Sequence, residues 1–547
     1  MKNFKKIAAM AAALTLAACS VAPMVVMNAS AENHTITITS NDNANHTYVA
    51  YQIFSGDYVS DVLTNVAWGD GVDGVALLAA LKEDDTLKEK FASATTAQDV
   101  ADILGSTVAT EVGGETQTTP VFGNDSELTK QFAKIVAANT KSSEKKSFAN
   151  GSLTAADGYY IIMDESAPTG TTPNSGAMTR FILKLAGDKT IPLTAKSAAP
   201  TVDKQVQDDD AIGDASWSES ADHEMYEKFN FKLTASLPAS TEYANYQTYK
   251  VKFNDTMSKG VAFSKINSVT VDGVNVAANG YDLSARSTDP TTGVTTWNLT
   301  INDVKAISGV DLSNGADIVV EYEAYLTKDA IVSSATGENL NVNNNKVNLE
   351  YSNNPNASGN GEWEKGTTPD DYVWVFTYEA FNKKVNENNE ALSGAEFKLY
   401  TDAECNNEYG LIYDGVLEVY RPITGDETAT AMTSNTNGVF NIVGLDAGTY
   451  YLKETKAPDG GYNLLTEAKA IAITATHSEN AEGTAANLTL IGNASSENPL
   501  EIENKKGTSL PSTGGIGTTL FYVGGGCMAG LAGLFLITKK RMGKKEN

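Results

Sequence analysis

Apolar and polar residues alternate with period two along much of the chain. Thr35-Ile36-Thr37-Ile38-Thr39, Ile318-Val319-Val320-Glu321-Tyr322 and Val347-Asn348-Leu349-Glu350-Tyr351 each collect their bulkier side chains on one face. Asn, Gly and Thr punctuate these runs. Repeated short strands of this kind predict half-buried antiparallel sheets packed as β-sandwiches. Helical patterning interrupts them near residues 74–92 and 126–138, both early in the chain. Two polar stretches look like boundaries: Lys196-Ser197-Ala198-Ala199-Pro200-Thr201, and Asn353-Asn354-Pro355 through Gly366-Thr367-Thr368-Pro369. They divide the chain into 32–196, 197–360 and 361–509.

The ends carry a different pattern. Lys2, Lys5 and Lys6 precede an apolar run from Ile7 to about Met27, and Ala29-Ser30-Ala31 supplies the small residues of a signal-peptide cleavage site. The mature chain would then start at Glu32. A competing reading takes Leu16-Ala17-Ala18-Cys19, which resembles a lipoprotein processing box and would place a lipid on Cys19. At the other end, Leu520 to Ile537 is apolar and is followed by Lys539, Lys540, Arg541, Lys544 and Lys545. At ~1.5 Å per residue such a helix crosses a thin bilayer core of roughly 27–30 Å. The basic tail would stay cytoplasmic.

Charge and composition narrow the function. The net charge is −27, and removing the three positive charges of the leader and the net four of the tail takes it to about −34. So acidic a surface argues against nucleic acid, which demands a basic footprint. It suits a soluble extracellular protein. The histidines His34, His46, His223 and His477 are scattered, which argues against a histidine-based catalytic or metal constellation. No nucleophile–His pairing and no metal-ligand spacing is visible, so an enzyme reading is set aside and no cofactor or metal is expected. Asp208-Asp209-Asp210 reads as a solvated loop. Of three cysteines, Cys19 and Cys527 lie in the end segments, leaving Cys405 alone. An exported chain of this kind has no internal disulfide to rely on. Its core must suffice, or another covalent link must serve.

Leu510-Pro511-Ser512-Thr513-Gly514, ahead of the apolar stretch and basic tail, resembles the LPXTG sorting signal of Gram-positive surface proteins. An ordinary membrane anchor has no need of such a cluster at that place. The resemblance implies that a sortase cuts between Thr513 and Gly514 and joins the Thr carboxyl to an amine. It also implies a transient membrane anchor and then a wall-anchored cell-surface location.

A second resemblance lies in the last third. Lys384-Val385-Asn386 is followed by Ala391-Leu392-Ser393-Gly394-Ala395-Glu396-Phe397-Lys398-Leu399-Tyr400 and by Gly448-Thr449-Tyr450-Tyr451-Leu452-Lys453-Glu454-Thr455-Lys456-Ala457-Pro458. This is similar to the Cna-B domain of Gram-positive pilins and adhesins. The similarity implies an intramolecular isopeptide bond between Lys384 and Asn504, promoted by Glu454. The residue types fit that chemistry. Burial disfavours a charged amine and a charged carboxylate alike. A neutral Lys is a nucleophile, a protonated Glu polarises the Asn carbonyl, and the fold supplies proximity. Phe376, Tyr378 and Ala380 share a face whose period of two runs through Asn382 to Lys384, with Lys383 on the opposite face. The bland reading makes Lys384 and Glu454 exposed charges on an ordinary sandwich.

The middle segment repeats the logic with weaker motifs. Pro200-Thr201-Val202-Asp203-Lys204 opens it, Asn254-Asp255-Thr256-Met257 lies inside it, and Tyr351-Ser352-Asn353 closes it. These resemble the middle domain of major pilins, which implies a Lys204–Asn353 bond beside Asp255. Val347, Leu349 and Tyr351 share the face that turns Asn353 inward. The alternative reading of Asp255 is a turn residue before Ser258-Lys259-Gly260. The first segment resembles a pilin N-terminal domain through Thr47–Phe54 and Gly158–Asp164, but no Lys occurs between Glu32 and Lys82, so a first-strand link is absent there.

Together these features resemble a backbone pilin: all-β, with tandem immunoglobulin-like or Cna-type sandwiches and short helical inserts in the N-terminal domain. The resemblance implies sortase, identical subunits in a covalent homopolymer, minor pilins, peptidoglycan and a host or surface ligand as partners. It places the polymerisation lysine just before the first linker, at Lys196, with Lys189 and Lys184 as fallbacks. The aromatic-Pro-Lys context of the family is missing there. The alternative is a monomeric wall-anchored adhesin with the same domains.

Overall fold

The computed structural model describes residues 33–40, 45–112, 115–124, 126–165, 176–187, 190–195, 199–209, 216–356, 365–507 and 516–542. Its described residues fall mostly into strands gathered in several sheets, with a few helices, so the fold is all-β with tandem sandwich domains. Two compact units emerge. One takes the chain up to Ala380 together with Val443–Gly448 and Ile473–Ser496; the other takes Phe381–Ile442, Thr449–Ala472 and the residues from Glu497 on.

In the first unit, His34–Ser40 pairs in parallel with Thr190–Ala195 and antiparallel with Ser152–Ala155. A second sheet runs Val62–Trp68, Tyr48–Val59, Gly158–Asp164, Ile182–Ala186. The helices sit beside it. Gly74–Glu83 is capped by Asp73, and Glu127–Ala138 by Ser126, matching the two helical patterns of the sequence. A third, Ala97–Leu104, was not legible by periodicity over so few residues. Its signal is the capping box of Thr96 and Asp99. Leu77, Leu81, Phe91, Phe132 and Val136 pack the helices onto Val49, Tyr51 and Ile53.

Residues 201–376 of the same unit build a sandwich from two larger sheets. One is ordered Trp217–Ser218, β1 (Thr201–Gln207), Lys228–Leu237, Ala316–Leu326, Val261–Val271, Val274–Asn275. The facing sheet contains β2 (Ser220–Asp222), β3 (Val251–Met257), Thr295–Ile301, β4 (Asn344–Ser352) and β5 (Asp371–Phe376). Strict burial alternation in Lys228–Leu237, β3 and Ala316–Leu326 shows one face of each sheet turned to a core of Phe231, Phe253, Trp297, Tyr322 and Leu349. Strand β5 lies beyond the boundary expected at residue 360. It pairs with both β2 and β4, so the sandwich closes only after the polar stretch.

The second unit pairs β6 (Asn382–Asn386) in parallel with β9 (Leu500–Asn504), its first and last strands. Glu396–Tyr400 pairs with β7 (Gly448–Lys456), and Phe397 stacks on Phe440 in the core, ring centroids 4.5 Å apart. The run read as one strand from Phe376 to Lys384 is three short strands, ending at Phe376, Ala380 and Asn386. In the first unit, Ala486–Gly492 forms a hairpin with β8 (Lys469–Glu479), in register from Ile473 to Glu479, and also pairs with Gly337–Leu340. The apolar C-terminal stretch falls within the helix Ile516–Met542. Among the described residues, no helix is long and apolar enough to cross a membrane.

Candidate cross-linking sites

Lys204 enters the middle core because β1 alternates. Its side chain and that of Val206 point inward, and Lys204 is fully buried. Its Nζ donates to Asp255 Oδ2 at 2.5 Å and to the Tyr322 hydroxyl at 3.0 Å. It lies 5.1 Å from the ring centre of Phe231 and 5.3 Å from that of Tyr322. Asp255 comes from β3, where the inward alternation continues and leaves it 1 % exposed. Tyr322 donates its own proton to Asp255 Oδ2 at 2.8 Å and accepts from Asn345 Nδ2 at 2.6 Å. Asn345, on β4 opposite Met257, is fully buried. Four polar side chains thus form one buried cluster. Burial lowers the Lys204 amine and raises the Asp255 carboxyl, favouring the uncharged form of each. Asp255 Oδ1 and Asn345 Oδ1 are buried without hydrogen-bond partners.

Asn353 is not brought to Lys204. Asp255 pairs with Val347 and Val251 with Tyr351, so Asn353, just past the end of β4, lies six residues, about 20 Å, from the level of Asp255. It is buried there, with Nδ2 3.5 Å from the Gly176 carbonyl. The sequence expectation that Asn353 lies beside Lys204 is therefore corrected: the asparagine in this cluster is Asn345. The two share a face, because they are an even number of residues apart, and alternation carries no information about height along the strand. Asp255 itself is a strand residue and not the turn residue of the alternative reading.

In the second unit the parallel register sets Lys384 opposite Ile502 and Asn386 opposite Asn504. Lys384 and Asn504 are thus diagonal neighbours on one face, both fully buried. Glu454 comes from β7 and is 3 % exposed. Asn504 Nδ2 donates to both Glu454 carboxylate oxygens at 3.0 Å and to the Asn463 carbonyl at 2.8 Å. Asn504 Oδ1 is buried with no hydrogen bond. The Lys384 amine donates to the Ile502 carbonyl at 2.6 Å. Burial pushes that amine down to about 8, against the opposing pull of Glu454 and Glu503. Lys383, on the other face, reaches Glu501 at 3.8 Å at the surface.

Several expected residues lie outside the described ones: Lys196 and Lys189, the sorting motif Leu510, Pro511, Ser512, Thr513 and Gly514, and the leader with Cys19. Lys184 lies on the Ile182–Ala186 strand, in register with Tyr160. Cys405 sits at positive φ in a surface turn, away from the buried clusters. Sequence reasoning missed Tyr322 and Asn345. Tyr322 was counted as an apolar strand residue, and its hydroxyl becomes informative only when the facing sheet is in place.

Comparison with known proteins adds an independent line. A family described as the SpaA prealbumin-like fold domain matches residues 380–487, and the LPXTG cell wall anchor motif matches residues 502–542. The chain is 25 % identical over 415 residues to the trypsin-resistant surface T6 protein of Streptococcus pyogenes serotype M6, covering 63 % of this chain and 70 % of that one. Among solved structures, the T6 backbone pilin of S. pyogenes aligns over 87 % of this chain and 98 % of its own at 19 % identity and TM-score 0.49. The full-length major pilin SpaD of Corynebacterium diphtheriae aligns over 88 % and 99 % at 18 % identity and TM-score 0.46.

Proposed function

We propose that this chain, a wall-anchored Gram-positive surface protein of the sortase-assembled major-pilin kind, is a pilus backbone subunit welded internally by two self-made isopeptide bonds, Lys384–Asn504 and Lys204–Asn345. One observation carries the reading. In each of two places a fully buried lysine lies beside a buried carboxyl and a buried asparagine whose carbonyl oxygen has no hydrogen bond. Leaving such oxygens unpaired costs about 1–3 kcal/mol each. A proton on Asp255 or Glu454 would turn each acid into a donor for that oxygen.

The chemistry is a single transamidation. The neutral lysine nitrogen attacks the asparagine Cγ, polarised by the protonated acid. The acid takes the proton released from the amine and hands it to the departing nitrogen. A C–N bond to lysine forms, the C–N bond to the amide nitrogen breaks, and ammonia leaves. In the middle sandwich the Tyr322 hydroxyl bonds the amine, Asp255 and Asn345 and so gathers them around one point. In the second unit the amide NH2 of Asn504 faces Glu454. Protonation of Glu454 would favour the turned amide, with Oδ1 toward the acid. The amine would move from the Ile502 carbonyl to Cγ. Each site turns over once, so the protein is structural and a substrate of sortase, not an enzyme.

Assembly follows from the sorting motif. Sortase would break the Thr513–Gly514 bond and join the Thr513 carbonyl to Lys196 of the next subunit. That head-to-tail contact does not close on itself and grows a filament. Minor pilins, peptidoglycan at the base and adhesion to a host or surface ligand would complete the assembly.

Intact-mass measurement of the purified chain tests the welds: a deficit of two ammonia molecules is expected, and the full calculated mass would end this reading. For polymerisation, wall extracts should give a ladder of high-mass species on denaturing gels that collapses in a Lys196→Ala strain. A single band from the unaltered strain would favour the monomeric adhesin.

A further inference from the structure

His477 and Asp222 are far apart in sequence, yet the first unit brings them together with Asp208. The His477 ring lies against Phe376, centroids 5.5 Å apart and planes 25° from parallel. Its Nδ1 is 2.9 Å from Ser220 Oγ. Those two contacts fix which way the other ring nitrogen points. His477 Nε2 faces Asp222 Oδ1 at 3.6 Å and Asp208 Oδ2 at 3.7 Å. The side chains are 14 % exposed for Asp208, 2 % for Asp222 and 13 % for His477.

These separations are too long for hydrogen bonds. They are close to the distance between neighbouring ligand atoms around a small cation. Tetrahedral bonds of about 2.0–2.2 Å give edges of about 3.3–3.6 Å. Asp222 supplies a second, independent sign. Its Oδ2 accepts from the Tyr378 hydroxyl at 2.7 Å, while its Oδ1, buried and aimed into the cluster, has no hydrogen bond. A buried carboxylate oxygen left this way is costly unless a cation meets it. Ser220 behind the imidazole and Tyr378 behind the carboxylate are the outer partners that orient metal ligands.

We propose that Asp208, Asp222 and His477 form a binding site for one divalent transition-metal ion of the zinc type, with the remaining position open to water. One imidazole and two carboxylates suit Zn2+, and less well Mn2+. Ca2+ asks for six to eight oxygens and is a poor match. The ion would replace any proton on Nε2 and tie the β8 hairpin to β2. That linkage is reversible, in a chain whose other proposed links are permanent. Nearby, His223 Nδ1 faces Asp209 at 3.7 Å and Glu227 at 3.8 Å, but those carboxylates are 54 % and 36 % exposed. This neighbour provides the control.

The test is calorimetric titration of the purified full chain, stripped with EDTA and dialysed, with ZnCl2, MnCl2 and CaCl2 in turn. One equivalent of Zn2+ should bind, with Ca2+ unable to compete. His477→Gln and Asp222→Asn should each weaken binding by about 100-fold or more, and Ser220→Ala by about 10-fold, while His223→Gln changes nothing. Ser220→Ala removes only a hydroxyl, so its effect stands even if the ligand variants fold poorly, which circular dichroism would reveal. X-ray absorption of the zinc-loaded chain should show a single imidazole. No zinc uptake by the unaltered chain at micromolar concentration, affinity that follows His223 instead of His477, or a spectrum with two imidazoles would each overturn the proposal.

Discussion

Replacing Asn345 by Ala is the sharpest probe of the middle weld. A bond between positions 204 and 345 closes a loop of about 140 residues, and the chain-entropy model assigns such a closure about 5 kcal/mol. Lys204 stays paired with Asp255, so no lone charge is stranded in the core. For a domain of this size 1 kcal/mol shifts the melting temperature by about 2–4 °C, so the middle transition should fall by about 10–20 °C. Mass spectrometry of the same sample should show one ammonia regained. Asn353→Ala is the matched control. It removes one 3.5 Å contact to Gly176, should cost about 1 kcal/mol and should leave the mass deficit intact. A chain that keeps both ammonia losses as Asn345→Ala, or regains one as Asn353→Ala, would refute the assignment.

Lys384→Ala or Asn504→Ala should each restore the other ammonia while leaving the middle weld untouched; recovery of both, or of neither, by intact mass contradicts the independence of the two sites. In Asn504→Ala, Lys384 remains a free amine held down to about 8 from the usual 10.5. Between those values the unfolded state binds more protons, so stability is fullest above the unfolded value and is lost as the pH falls through the folded one. Urea midpoints, taken relative to the welded chain, should therefore rise from about pH 8 to 10.5, and a flat difference would count against the buried-amine picture. The region before Lys196 has no first-strand lysine, so timed trypsin digestion should cut it first and leave a resistant fragment starting near the first linker; first cuts within 201–376 would contradict this.

Period-two patterning carried most of what could be read from the sequence. It placed Lys384 on an inward face, while Lys204 was marked by the motif resemblance, and both are fully buried. It left open the height of a residue along its strand, because register depends on the facing strand. That is why the reading fell on Asn353, although Asn345 is the asparagine that meets Tyr322. The polar stretch after Asn353 looked like a domain boundary, yet β5 beyond it returns to pair with β4. Contacts made by tertiary structure alone were illegible. His477 has no local signal for Asp208 or Asp222, and four scattered histidines argued against any such cluster. Tyr322 resembled any core aromatic until its hydroxyl met Lys204, Asp255 and Asn345.

The parallel pairing of β6 with β9 has a mechanical corollary. With Lys384 and Asn504 joined, tension entering at one end of this unit would leave at the other through a short covalent bypass. The stretches of this unit that lie between them, within 387–442 and 449–472, would hang beside that path, carrying no load. Their loops could lengthen, shorten or change chemistry without weakening the fibre, which makes them the natural place to vary what an immune system sees or to graft a foreign peptide.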